Sequence, residues 1–166
     1  MSRSLVVALV LGTLCPISAS ADSLVRFKGG IGVLPVSSGV GTAATAEAVN
    51  RNIVRGVQPA GQIWVIADLK ADVKDDGSIT VDGRGLLLGG GNNIGTNANQ
   101  SVRATLICLG AVAPFPSSGL VPLEPNGDFR IDDVLTPAPP NPCPTPVLLI
   151  LNPAGAWFAA GIPKLD

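Results

Sequence analysis

Histidine and tyrosine are both missing from the 166 residues of this chain. Without histidine there is no Ser-His-Asp triad, no Cys-His pair and no imidazole ligand for a metal. The commonest general base at neutral pH is gone with it. Charge is scarce too, with Asp, Glu, Lys and Arg making up 14% of the residues, against about 25% in an average domain. A net charge of −1 gives no electrostatic attraction to nucleic acid. The hydrophobic share of 46% excludes a disordered acidic or basic chain. What abounds is backbone punctuation: 20 glycines and 15 prolines. Their joint share is well above the roughly 12% of average usage, and a chain broken so often disfavours long helices.

The N-terminus reads as a secretory leader. Arg3 supplies the positive region, and Leu5 to Leu11 form an unbroken apolar run that Leu14 and Ile17 extend. Pro16 interrupts it, and Ala19-Ser20-Ala21 has the small-residue pattern of a cleavage site. The run is too short to cross about 30 Å of hydrocarbon. A lipoprotein would need a small-residue box before Cys15, which Gly12-Thr13-Leu14 fits poorly. Residues 1–21 are therefore expected to be a signal peptide, and residues 22–166 a single secreted or periplasmic domain with no further membrane span.

Export changes the cysteine arithmetic. Cys15 leaves with the leader, and Cys108 and Cys143 remain. Two cysteines in an oxidising compartment predict one disulfide. It would close a loop of about 36 residues and contribute roughly 4 kcal/mol in the chain-entropy model. Two thiolates without histidine make an incomplete zinc set.

Alternation with period two recurs along the expected domain. From Gln62 to Lys74, the residues Ile63, Val65, Ala67, Leu69, Ala71 and Val73 share one face, which predicts one long half-buried strand. Lys74 to Ser78 is a turn with Gly77 suited to positive φ, and Ile79-Thr80-Val81 returns as the second arm of a hairpin. Gly83-Arg84-Gly85 marks a bulge or bend, and Leu86-Leu87-Leu88 a short apolar strand. Ser101–Leu109 alternates again, with Val102, Ala104, Leu106 and Cys108 inward and Arg103 and Thr105 opposite. Pro122 confines Leu120–Leu123 to a sheet edge. Pro125–Asp128 is a turn before a strand at Phe129–Ile131. Thr136–Pro146 carries six prolines and should run as an extended connection, stapled at Cys143. Val147–Leu151 and Ala156–Ile162 read as a buried C-terminal hairpin. Near the start, Ser23–Lys28 and Ile31–Val36 look like two strands around Gly29-Gly30; Thr42–Asn50 fits a short helix or a strand, and reads best as a loop with at most two helical turns.

Eight or nine short strands with frequent turns predict an all-β fold, a single antiparallel β-sandwich or small barrel. An outer-membrane barrel would need aromatic girdles, and only six aromatics lie beyond the leader.

No catalytic residue, metal site or cofactor is expected. The glycine runs at Gly29 and Gly89 lack the Lys-Ser or Lys-Thr of a phosphate loop. Asp72, Asp75 and Asp76 miss the EF-hand spacing. Asp128, Asp132 and Asp133 could serve a glycosidase only at a suitable separation. No lysine has a serine partner in a dyad motif. Asn99-Gln100-Ser101 fits the N-glycosylation pattern. The expected function is an exported, non-enzymatic binding or structural module with a protein or glycan partner. The rivals are a pilin-like assembly subunit and a carboxylate-dependent hydrolase. The candidate recognition surface is the Gly89–Gln100 loop, through Asn92, Asn93, Asn97 and Asn99. Such a loop should contribute little to stability.

Overall fold

A computed structural model describes residues 21–40 and 48–164, and among them there are twelve strands and no helix. The strands are β1 (Ser23–Gly32), β2 (Val36–Val40), β3 (Ala48–Arg51), β4 (Trp64–Val65), β5 (Asp68–Lys74) and β6 (Ser78–Arg84). They continue with β7 (Leu87–Leu88), β8 (Ser101–Ile107), β9 (Val121–Pro122), β10 (Phe129–Val134), β11 (Val147–Leu151) and β12 (Trp157–Pro163). Residues 1–20 of the expected leader, and residues 41–47 of the expected loop, lie outside the described residues. The end of that expected loop is strand rather than helix, because Ala48–Arg51 pairs with Val36–Val40.

Eight strands form one antiparallel sheet in the order β10-β6-β5-β1-β12-β11-β8-β9. The sheet curls until its two ends meet, and residues 116–122 close the gap. Leu106 N–H donates to Pro116 O at 2.9 Å, and Ser118 N–H to Ala104 O at 2.9 Å. On the far side Ser117 and Thr136 exchange two backbone hydrogen bonds, at 3.1 and 2.9 Å. The result is a small barrel, nearly closed, with a two-stranded sheet β4–β7 laid against it.

The period-two pattern explains the interior. Phe27, Ala71, Val81 and Ile131 stand side by side across β1, β5, β6 and β10, and all are buried. Ala104 and Leu106 face the same core beside Ile150 and Leu148. The opposite face of β5, β6 and β10 is charged, with Lys70, Asp82 and Arg130 in register. A lipid-embedded barrel has the reverse arrangement, with an apolar band outside. β11 is different: Leu148 to Leu151 are buried on both faces, as a continuous apolar run requires. Segment 52–60 lies along the neighbouring strand. Trp157 N–H donates to Gln58 O at 3.0 Å, and its indole N–H to Asn52 O at 3.0 Å.

Gly77 adopts a φ of 89° at the tip of the β5–β6 hairpin, a conformation that side chains resist. The C-terminal hairpin also forms as expected, with Leu149 opposite Ala160. Three expectations are corrected. Gln62–Lys74 is two strands. Trp64 is buried and Val65 is 49% exposed, whereas Leu69 is fully buried, so the alternation slips by one residue at Ile66-Ala67. Gly29-Gly30 does not separate two strands, since β1 runs through them with a register shift between Phe27 and Gly30. Of the bulge or bend expected at Gly83–Gly85 only the bend forms, at Gly85 with a φ of 64° where β6 ends; Gly83 sits regularly in β6 under the Phe129 ring, where a Cβ would lie 2.1 Å from the ring. Thr105, on the face of β8 opposite Ala104 and Leu106, is buried as well, with its hydroxyl 2.9 Å from Ser117 Oγ.

Candidate functional site

Cys108 closes the inward series of β8, and Cys143 sits in the Pro-rich connection. The two are joined by a disulfide with Cα atoms 5.1 Å apart. Beside it Leu109 N–H donates to Pro144 O at 2.8 Å, so bridge and hydrogen bond hold the connection to the end of β8 together. This pair is structural, as the cysteine arithmetic implied.

The Gly89–Gln100 loop connects β7 to β8, and it is built rather than loose. Leu88 N–H donates to Thr96 O at 2.9 Å, and Gly95 N–H to Leu88 O at 2.8 Å. These ties, and those of Asn97, bear on the expectation that the loop contributes little to stability. The Asn97 amide donates to Leu123 O and Glu124 O, each at 3.0 Å, and its Oδ1 accepts the Asn99 N–H at 3.0 Å. Asn97 thus fastens the loop to the β9–β10 turn. Asn99 is exposed with a φ of 51°, which asparagine tolerates better than most residues. Asn92 is exposed on the loop surface. The carbonyl of Asn93 accepts the Thr96 N–H at 3.2 Å and its hydroxyl at 2.8 Å. Its side-chain amide makes no hydrogen bond among the described residues.

Of the four asparagines, Asn93 reaches a pocket of about 400 Å³ between the loop, segment 60–62, β4 and β12. Trp64 and Phe158 form its floor, stacked on one another at 3.9 Å between ring centroids and 14° between planes. Ala60, Leu88 and Ala98 line its walls, and Gln62, Asn93 and Gln100 bring amides to it. Gln100 Nε2 donates to Ala98 O at 3.3 Å. Gln62, like Asn93, makes no side-chain hydrogen bond among the described residues. Among the described residues no ionisable side chain lines the pocket. Asn92, Asn97 and Asn99 do not line it; Asn93, Asn97 and Asn99 come together instead around a separate open hollow of about 560 Å³ with Pro125. Sequence reasoning missed Gln62, Trp64 and Phe158 as site residues, because Trp64 and Phe158 read as strand residues and Gln62 as a strand end. The amide-rich loop was the only legible signal.

The carboxylates act as structural acceptors. Asp128 Oδ1 takes the Gly85 N–H at 3.0 Å, and Asp133 takes the N–H groups of Gly119 and Val134 at 2.7 and 2.8 Å. The Gly119 and Val134 bonds hold the Asp133 carboxyl below its ordinary value of 3.8. Ser78 N–H does the same for Asp76. At Asp72 partial burial pushes upward, but the Ser23 hydroxyl, Lys74 and Arg26 together outweigh it and the net shift is downward. A general acid needs the opposite shift. No group of three His, Cys, Asp or Glu suited to a metal occurs among the described residues. Comparison with known protein families, curated proteins and solved structures finds no match.

Proposed function

We propose that this protein is an exported, secreted or periplasmic, non-enzymatic binding module. Its recognition surface is the pocket at the edge of the Gly89–Gln100 loop. The observation that carries this reading is the pair of unengaged amides, Gln62 and Asn93, over an apolar pocket of about 400 Å³. An apolar lining with a few polar groups is the usual makeup of ligand sites. Export is supported by the leader pattern and by the start of the fold. Asp22 O accepts the Asp75 N–H at 3.0 Å, and β1 begins at Ser23, directly after the expected cleavage site.

A pilin-like subunit completed by a neighbour's strand needs an open edge in its sheet. Segment 116–122 occupies the gap between β8 and β10, which favours the self-contained module. The test is binding of the full mature protein to immobilised glycan and peptide arrays, beside a Gln62→Ala/Asn93→Ala double variant. Signals on either array that the double variant loses are expected. Silence on both arrays, or signals that the double variant keeps, would overturn the reading.

A further inference from the structure

The binding reading leaves the ligand's chemistry open, and the pocket itself narrows it. No lining side chain is ionisable, so a charged ligand would lose hydration with nothing to replace it. A sugar ring stacks on an open aromatic face. Here the two rings face each other, and Trp64 and Phe158 are only 4% and 3% exposed. The rings therefore offer a thin apolar floor, with Leu88 beside them, which suits an aliphatic group. Above it, Gln62 and Asn93 each carry an unengaged amide, with two N–H donors and a carbonyl acceptor. That set matches the N–H and C=O of a peptide bond.

Resting on the binding reading above, we infer that the pocket takes an uncharged peptide segment of a partner protein. One aliphatic side chain seats against Leu88, Trp64 and Phe158, and the adjoining peptide groups pair with Gln62 and Asn93. The partner is chosen by an apolar side chain within an uncharged stretch, not by a glycan or a charged motif.

The experiment is an NMR titration of the ¹⁵N-labelled mature protein with three probes: N-acetyl-L-leucinamide, methyl α-D-glucopyranoside and isovalerate. The leucinamide should move the side-chain amide signals of Gln62 and Asn93 and the indole N–H of Trp64, saturably. Gln62→Ala and Asn93→Ala should each weaken that binding by about 2- to 10-fold, as loss of one hydrogen bond does. Neither side chain bonds to the rest of the protein, so unchanged backbone spectra should show that both variants fold. Preference for isovalerate over the leucinamide would overturn the uncharged class. A response to the glucoside alone would overturn the peptide assignment while leaving the binding module standing. No response to any probe, or leucinamide binding unchanged in both variants, would overturn the assignment of these residues to a peptide site. The two arrays judge the broader reading independently.

Discussion

Asp133 stands where a backbone carbonyl would ordinarily complete a ladder. Segment 116–122 passes alongside β10, and the Gly119 N–H finds its acceptor in the Asp133 carboxylate at 2.7 Å. Both bonded N–H groups favour the charged form, so the folded-state pKa lies below the unfolded one. The stability this group contributes is therefore complete above the unfolded value. It disappears as pH falls through the folded value. Asp133→Ala should cost about 1 kcal/mol at pH 7, a charged hydrogen bond discounted for solvent exposure. Urea unfolding at pH 7 and again near pH 2.5 checks it. The gap between wild type and variant should shrink in acid, and a gap of equal size at both pH values would contradict the account. Gly83 makes a steric argument of the same kind. A methyl group there would meet Phe129 at 2.1 Å from Cε1 and 2.2 Å from Cζ. Overpacking of this sort costs roughly 1–3 kcal/mol. Gly83→Ala should fall in that range, and Gly83→Ala/Phe129→Leu should lose less than the two single changes added together. Strict additivity in denaturant melts would show that ring and glycine are not coupled.

At the scale of elements, β5, β6 and β8 were legible because polar and apolar residues take turns there, and the β11–β12 hairpin because two apolar runs flank a turn. Pro122 at the edge position was legible for the same reason, since it has no N–H for a central ladder. What stayed hidden depends on partners distant in sequence. The slip at Ile66-Ala67 exists because β4 leaves the main sheet and pairs with β7 instead, and both halves of the pattern alternate equally well alone. The pocket was half legible: asparagine density marked the loop, but nothing local says that Asn97 is consumed by Leu123 and Glu124 while Asn93 is free. Asn97→Ala should therefore destabilise by about 1–2 kcal/mol, two hydrogen bonds partly replaced by water, whereas Asn92→Ala should leave the melt unchanged. Equal effects in thermal unfolding would remove the distinction drawn between them. The disulfide was legible from count and compartment alone. Replacing both Cys108 and Cys143 by alanine should lower stability by roughly 4 kcal/mol, the closure entropy of its loop. A loss below about 1 kcal/mol would mean that the Leu109–Pro144 hydrogen bond and local packing already hold the connection.

Over the whole molecule, charge is partitioned. Residues 104–123 and 134–163 contain no Asp, Glu, Lys or Arg, and they supply most of β8 together with β11, β12 and the disulfide-linked connections. The charged residues gather instead on the outward face of β5, β6 and β10, where Asp68 stands opposite Arg84 and Lys70 opposite Asp82. Between these halves runs β1, paired with β5 on one side and β12 on the other. The first strand of the fold is thus also a middle strand of its sheet, paired from Ser23 onward. Asp22 is already tied through its carbonyl to Asp75. A protease cutting after Ala21 would leave this strand whole, while a cut several residues later would remove partners of β5 and leave its ladder open. The expected cleavage site lies just before the first strand of the fold. Mass spectrometry of the exported protein should find Asp22 as its first residue. A chain beginning at Asp22, made without the leader and refolded oxidised, should melt at the same temperature as the exported form. Starting four residues later, at Arg26, should abolish the cooperative transition or lower it sharply, because the pairings of Ser23 and Val25 with Lys74 and Val73 are lost. An exported protein that keeps Met1, or a chain from Arg26 that melts like the longer one, would break the link between processing site and first strand.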